Sequence, residues 1–153
     1  MTDFNARIKQ LGIELPKPAT PIANYVPFVR TGNLLTISGQ TAFGPDGIVT
    51  GILGKDMDID GGKAAARVCG INLLAQVAAA LDGDLNRVKR VIRLGGFVQT
   101  QAGFTDIPNV MNGASDLMVE VFGDIGRHAR FAVGCSSLPL GTAVEVDGTF
   151  EVD

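Results

Sequence analysis

Ala129-Arg-Phe-Ala-Val-Gly-Cys-Ser-Ser-Leu-Pro-Leu-Gly-Thr-Ala-Val-Glu-Val-Asp-Gly-Thr-Phe-Glu-Val152 alternates apolar and polar residues on both sides of a Leu138-Pro139-Leu140-Gly141 break. That pattern predicts two strands joined by a turn. Side chains alternate across a pleated strand, so Phe131, Val133 and Cys135 take one face of the first strand and Arg130, Ala132 and Gly134 the other. In the second strand Val144, Val146, Phe150 and Val152 form an apolar face, opposite Glu145, Asp147, Thr149 and Glu151. This arrangement is expected to put Arg130 and Glu145 on one shared sheet face, a guanidinium and a carboxylate among small residues with room for a small charged ligand.

Upstream, Lys63 to Leu81 repeats apolar residues at three and four (Ala64, Val68, Ile71, Ala75, Ala78, Leu81) and closes on Asp82-Gly83, which predicts a helix with an alanine-rich contact face. Leu85 to Thr100 predicts a strand with a bulge or bend at Gly95-Gly96. A second helix is expected after Asp106 as N-cap and Pro108 in the first turn, burying Val110, Ala114, Leu117, Val121 and Phe122. Asn24 to Gln40 reads as a hairpin turning at Thr31-Gly32-Asn33. Residues 41–62, rich in Gly and Asp, read as a long connection. Phe4, Ile8 and Leu11 predict a short helix, followed by an extended arm through Pro16, Pro18 and Pro21.

The element order ββ, α, β, α, ββ predicts an α+β fold, a mixed β-sheet with two helices packed on one face. The 153 residues make one domain, 1–153, with 1–20 as an N-terminal arm. The sheet face without helices then meets water or another subunit. No run of about 18 uncharged apolar residues occurs and the N-terminus lacks an apolar secretory core, so a cytoplasmic protein without membrane attachment is expected.

A net charge of −3 gives no global attraction for polyanions. The one basic segment, Arg87, Lys89, Arg90 and Arg93, has no aromatic residues interleaved for stacking bases, so nucleic acid is not expected as a partner. Cys69 and Cys135 lack the count and spacing of a disulfide framework or metal site, and both are expected as reduced core thiols. No phosphate loop or dinucleotide fingerprint is present. Ser38 has no nucleophile-elbow setting, which argues against a serine hydrolase. His128, the single histidine, is expected at the surface or strand entry, without metal.

Ile22-Ala-Asn-Tyr25, a hairpin ending in Ser38-Gly39-Gln40, Ala129-Arg130-x-x-Val133, Leu138-Pro139 and Val144-Glu145-Val146 occur in that order over residues 20–152. In this combination the chain resembles the Rid family, also called the YjgF family and formerly the L-PSP endoribonucleases. The resemblance implies a chorismate-mutase-like fold and a homotrimer with ligand clefts between neighbouring subunits. It also implies hydrolysis of enamine and imine intermediates, such as 2-aminoacrylate, to 2-keto acids and ammonia. Arg130 falls on the arginine that binds the substrate carboxylate and Glu145 on the carboxylate beside the attacking water. Tyr25 falls on the tyrosine flanking the cleft, Ser38 and Gly39 on its floor, Ala132 on the position whose backbone contacts substrate, and Asn112 on the asparagine of the second helix.

The chemistry fits those residue types. Arg meets a planar carboxylate through a fixed fork of donors. Water addition to a C=N carbon needs an acceptor that orients and deprotonates the water. Neither metal nor organic cofactor is called for. The chain departs from the family pattern at Gly134-Cys135-Ser136-Ser137, in its long 41–62 connection and in its arm. A carboxylate-binding or regulatory trimer without turnover is therefore the alternative, with an RNA-cleaving protein a more distant one.

Overall fold

The computed structural model describes residues 2–153. In chain order the elements are α1 (Phe4–Gln10), β1 (Phe28–Thr31), β2 (Leu34–Thr41), a two-residue pair β3 (Phe43–Gly44) and β4 (Gly47–Ile48), α2 (Ile59–Ala80), β5 (Val88–Gln99), α3 (Ile107–Phe122), β6 (Ala129–Cys135) and β7 (Val144–Val152). The expected order of strands and helices is therefore present. The α+β class is correct, with a five-stranded mixed sheet ordered β1-β2-β7-β5-β6. None of the helices among the described residues is long and apolar enough to cross a membrane.

The last two strands do not pair with each other. β5 lies between them, parallel to β6 and antiparallel to β7. Turn chemistry at Leu138 to Gly141 gave a hairpin reading, but a short 3-10 turn at Pro139–Gly141 instead carries the chain across the end of β5. β6 becomes an edge strand.

Residues opposite one another in paired strands share a face, so the registers assign the faces. Val144, Val146, Phe150 and Val152 are all buried under the helices with Val91, Leu94 and Val98 of β5. On β6, Arg130 pairs with Leu94, Ala132 with Gly96 and Gly134 with Val98, which puts these three residues on the helix side. Phe131 and Val133 pair with Gly95 and Phe97 and take the open face. Arg130 and Glu145 are thus on opposite faces, which corrects the expectation that they share one. The helix side of β6 takes small residues because α3 lies close above it; a Cβ on Gly134 would come within 3.0 Å of Ile107. The apolar stripe of β6 is consequently no part of the core: Phe131, Val133 and Phe97 remain partly exposed on the open face.

α2 starts at Ile59, earlier than its apolar pattern predicts, because Asp58 caps it by accepting from Gly61 N–H at 2.7 Å. Gly61 and Gly62 are inside the helix rather than in the loop. The buried face runs through Gly62, Ala65, Ala66, Cys69, Leu73 and Val77, on nearly the opposite side of the helix from the predicted stripe, a rotation of roughly 180° at about 100° per residue. Alanines on every side leave the periodicity of this helix ambiguous. The contacts resolve it: α2 packs on α3, and a Cβ on Gly70 would come within 2.8 Å of Leu117 while one on Gly113 of α3 would collide with the Lys63 carbonyl. α3 buries Val110, Ala114, Leu117, Val121 and Phe122 as its spacing predicts. α1 lies against its end, with the Phe4 and Phe122 rings edge to face at 5.1 Å.

The hairpin β1-β2 turns through Gly32 at φ 58°, as expected. In β5 the irregularities fall between Val88 and Arg90 and between Val91 and Arg93, not at Gly95-Gly96. Those two glycines are regularly paired, and their small size serves the two faces. A Cβ on Gly96 would run into Met111 of α3, and one on Gly95 into Phe131 and Asp147 on the open face.

Candidate functional site

The residues singled out in the sequence gather into two groups rather than one. Arg130, Asn112 and Ala132 form the first, where edge strand β6 meets α3. Arg130 Nη1 donates to Asn112 Oδ1 at 2.9 Å and to Ser115 Oγ at 3.1 Å, and Nη2 donates to the Pro108 carbonyl at 3.4 Å. Of the five N–H donors of a guanidinium, Nε–H and one Nη2–H have no partner among the described residues. The guanidinium is held by acceptors that carry no charge, so its positive charge is not neutralised by an acid of its own chain. That is the electrostatic setting of an anion site rather than of a structural ion pair.

Behind Arg130 stands a relay that sequence reasoning did not find. His128 Nδ1 lies 2.6 Å from the Gly126 carbonyl and must be the donor there. Its Nε2 is then the acceptor for Ser115 Oγ–H at 3.0 Å, which leaves a lone pair of Oγ to face Arg130. Burial, reinforced by the Arg130 charge and opposed by the Gly126 carbonyl, lowers the pKa of His128 and favours this neutral form. His128 is at a strand entry, as expected, but half-buried rather than on the surface. Ser115 falls two turns into an amphipathic helix, where nothing in the pattern distinguishes it from a solvated serine.

The second group surrounds a cleft of about 380 Å³ bordered by Tyr25, Ser38, Gly39, Gln40, Gln76, Glu145 and arm residues Ala19 to Ile22. It is made by a bulge. The β2 register against β7 shifts between Ile37 and Gln40, setting Ser38 and Gly39 outside the regular ladder. Ser38 N–H donates to Pro27 O at 2.9 Å and its Oγ to Val26 O at 2.7 Å, fixing the segment that carries Tyr25. Gln40 Nε2 donates to the Ser38 carbonyl at 2.9 Å. Glu145 leans over Gly39, and a Cβ there would lie 2.5 Å from Oε1. Glycine thus makes room for the carboxylate. Burial, and secondarily the charge of Asp147, raises the Glu145 pKa, and no ion pair or hydrogen bond engages its carboxylate among the described residues.

Beside these groups the open sheet face carries the Phe97 and Phe131 rings edge to face at 5.5 Å, Arg93 over Phe131 at 5.2 Å, and an Arg93–Asp147 ion pair at 3.2 Å. Cys135 is half-buried, whereas Cys69 is the buried thiol expected. Most of the basic segment is paired locally: Lys89 and Arg87 reach Asp153 at 2.6 and 3.5 Å. Among the described residues no cluster of three His, Cys, Asp or Glu side chains is placed to hold a metal ion.

Residues 5–148 match the family model described as "YjgF/chorismate_mutase-like, putative endoribonuclease". Protein TCP17 of Trypanosoma cruzi is 48% identical over 150 residues, covering 97% of this chain and 93% of that protein. The crystal structure of Atu1372 from Agrobacterium tumefaciens, a protein of unknown function, superposes with a TM-score of 0.91 at 48% identity, over 98% of this chain and 92% of that one. An endoribonuclease-described protein of Shewanella oneidensis MR-1 superposes with a TM-score of 0.94 at 33% identity, over 99% and 100% of the two chains. With the match running through α1, both groups of residues and most of β7, the chain belongs to the YjgF/chorismate-mutase-like family, the Rid family.

Proposed function

We propose that the protein hydrolyses imino acids and their enamine tautomers, of the 2-aminoacrylate class, to 2-keto acids and ammonia, in clefts formed between copies of the chain in a homotrimer. The observation that carries this reading is the division of the site. Arg130 presents unused donors on one side of the sheet, and Glu145 stands unpaired in a cleft on the other. A neighbouring copy supplies the half each lacks, and the partly exposed apolar residues Phe97, Phe131 and Val133 give the open face a surface to bury against it.

In such a cleft Arg130 of one copy takes the substrate carboxylate, with Asn112 and Ser115 holding the guanidinium plane. Glu145 of the other copy accepts a proton from water as the water oxygen bonds to the C=N carbon and the π electrons pass to nitrogen. Glu145 then returns that proton to the amino nitrogen. The C–N electron pair leaves with ammonia, and the hydroxyl oxygen closes to the carbonyl, giving up its proton to the ammonia released. Water and an iminium acid become a 2-keto acid and ammonium, with no redox change. A raised carboxylate pKa suits a group that must take and return a proton near neutral pH.

The test is release of keto acid from imino acids generated in situ by an amino-acid oxidase, comparing the wild-type protein with Arg130→Ala. Acceleration that Arg130→Ala removes is expected. Wild-type protein that leaves the spontaneous rate unchanged over small and bulky imines would sink the reading in favour of ligand binding without turnover. An endoribonuclease reading has less behind it, because three of the segment's four cations, Arg87, Lys89 and Arg93, are paired with acids rather than displayed as a stripe.

A further inference from the structure

The cleft around Glu145 has a second end. It lies along the outer edge of β2 beyond Ile37, where pairing with β1 has stopped. Glu145 borders it from the open face of the sheet and Gln76 of α2 from the helix side, and the arm from Ala19 to Ile22 lines it as well. Gln76 is only 1% exposed. Its Nε2 donates to the Ala19 carbonyl at 3.0 Å, and its Oε1 is buried with no partner, alone in this among the described residues' buried side-chain nitrogens and oxygens. The orientation of the amide is set by Ala19, whose carbonyl can only accept. An unmet buried carbonyl oxygen carries a desolvation cost that a leucine at the same place would avoid. A donor delivered through the cleft relieves it.

We infer that Gln76 Oε1 receives a hydrogen bond from the side chain of the ligand, so that the cleft selects keto and imino acids bearing a hydroxyl or N–H group over aliphatic ones of the same shape. This rests on the reading of the cleft as an imino-acid site and adds its specificity. With the reacting carbon beside Glu145, the ligand side chain extends beneath the arm toward α2, and the acceptor there meets whatever that side chain carries. Discrimination is strong at such a position because the ligand lacking a donor leaves the buried acceptor unpaired.

The isosteric pair 3-hydroxypyruvate and 2-oxobutanoate, a hydroxyl against a methyl, tests this by calorimetry on wild type, Gln76→Leu and Arg130→Ala. Wild type is expected to bind hydroxypyruvate about tenfold or more tightly over 2-oxobutanoate. Gln76→Leu should bring the two together by weakening hydroxypyruvate, while loss of the Ala19 tie affects both ligands alike. Equal affinities in wild type, the result if a water molecule fills the acceptor, overturn the inference, and so does a preference that survives in Gln76→Leu. Should that variant not fold, Gln76→Met replaces it and the wild-type ratio still decides. Equal but Arg130-dependent binding sinks the role of Gln76 alone; binding of neither acid, or binding unaffected by Arg130→Ala, sinks the parent reading and this one with it.

Discussion

Arg130 and Glu145 lie on opposite faces of one sheet, on strands separated by β5. The guanidinium is spread under α3 and the carboxylate leans over the Ser38-Gly39 bulge. A pair that would cancel in an internal salt bridge is kept apart, and each member keeps its capacity for a ligand.

Subunit complementation follows. Equal amounts of Arg130→Ala and Glu145→Gln chains, unfolded together and reassembled, give about a quarter of clefts with both groups intact if assortment is random. Keto-acid release should therefore recover to roughly that fraction of wild type, from two preparations that are each inactive. No recovery, with mixed oligomers demonstrated by mass, would place both groups' partners within one chain.

Arg130→Lys separates charge from geometry. Lysine keeps the cation but cannot hold Asn112, Ser115 and a carboxylate together, since its donors radiate from one nitrogen. The expected loss is about 2 kcal/mol, some 30-fold in carboxylate affinity, with Arg130→Ala losing more. Isothermal titration with a keto acid measures both.

Arg130's surroundings also show where the sequence was legible. Each strand's own alternation predicted the in-and-out pattern of β6 and β7 correctly, because that pattern is local. Which faces coincide depends on the insertion of β5 between them, a relation between segments tens of residues apart that no dipeptide signals. The small residues Ala132 and Gly134 beneath α3 were the available clue, since a strand face that meets a close helix must lack bulk. The contact stripe of α2 was misplaced for a related reason: alanine is compatible with every side of that helix, so burial there is decided by what packs against it. Ser115 and Gln76 gave no pattern at all; the hydrogen bonds of the one and the unpartnered buried oxygen of the other identify them.

Ser115→Ala removes the acceptor that links Arg130 to His128. The guanidinium keeps Asn112 but loses part of its orientation, so KM should rise by about three- to tenfold with kcat little changed, the pattern of a lost ground-state contact. Ser115→Thr, which keeps the hydroxyl, should restore most of it. The relay also has a pH signature. A histidine with its folded pKa lowered adds stability that is present at neutral pH and is lost as pH falls from the unfolded-state value through the folded one. Wild-type melting temperature should therefore drop over that acidic window more than that of His128→Gln.

Glu145 has the opposite linkage. Its folded pKa is raised, by burial first and Asp147 second, so its contribution to stability is largest at low pH and is lost as pH rises from the ordinary carboxylate value through the raised one. As a base it acts only when ionised. The acid limb of kcat/KM should fall above the ordinary carboxylate range, and Asp147→Asn should move it to lower pH. A limb unchanged by Asp147→Asn would count against Glu145 as the titrating group.

Two glycine substitutions of the same size should have contrasting effects. In Gly39→Ala the new Cβ meets the end of a flexible side chain, Glu145 Oε1 at 2.5 Å. The carboxylate can swing aside, so stability should fall by less than about 1 kcal/mol, while keto-acid release drops by about tenfold or more because the base leaves its position. In Gly113→Ala the Cβ meets the Lys63 backbone carbonyl across the α2–α3 contact. A backbone cannot rotate away, so the helices must separate, at a cost of about 1–3 kcal/mol or more. Urea midpoints and turnover measured on both variants check the pair. A Gly39→Ala protein that is fully active would mean that Glu145 acts from somewhere other than over the bulge.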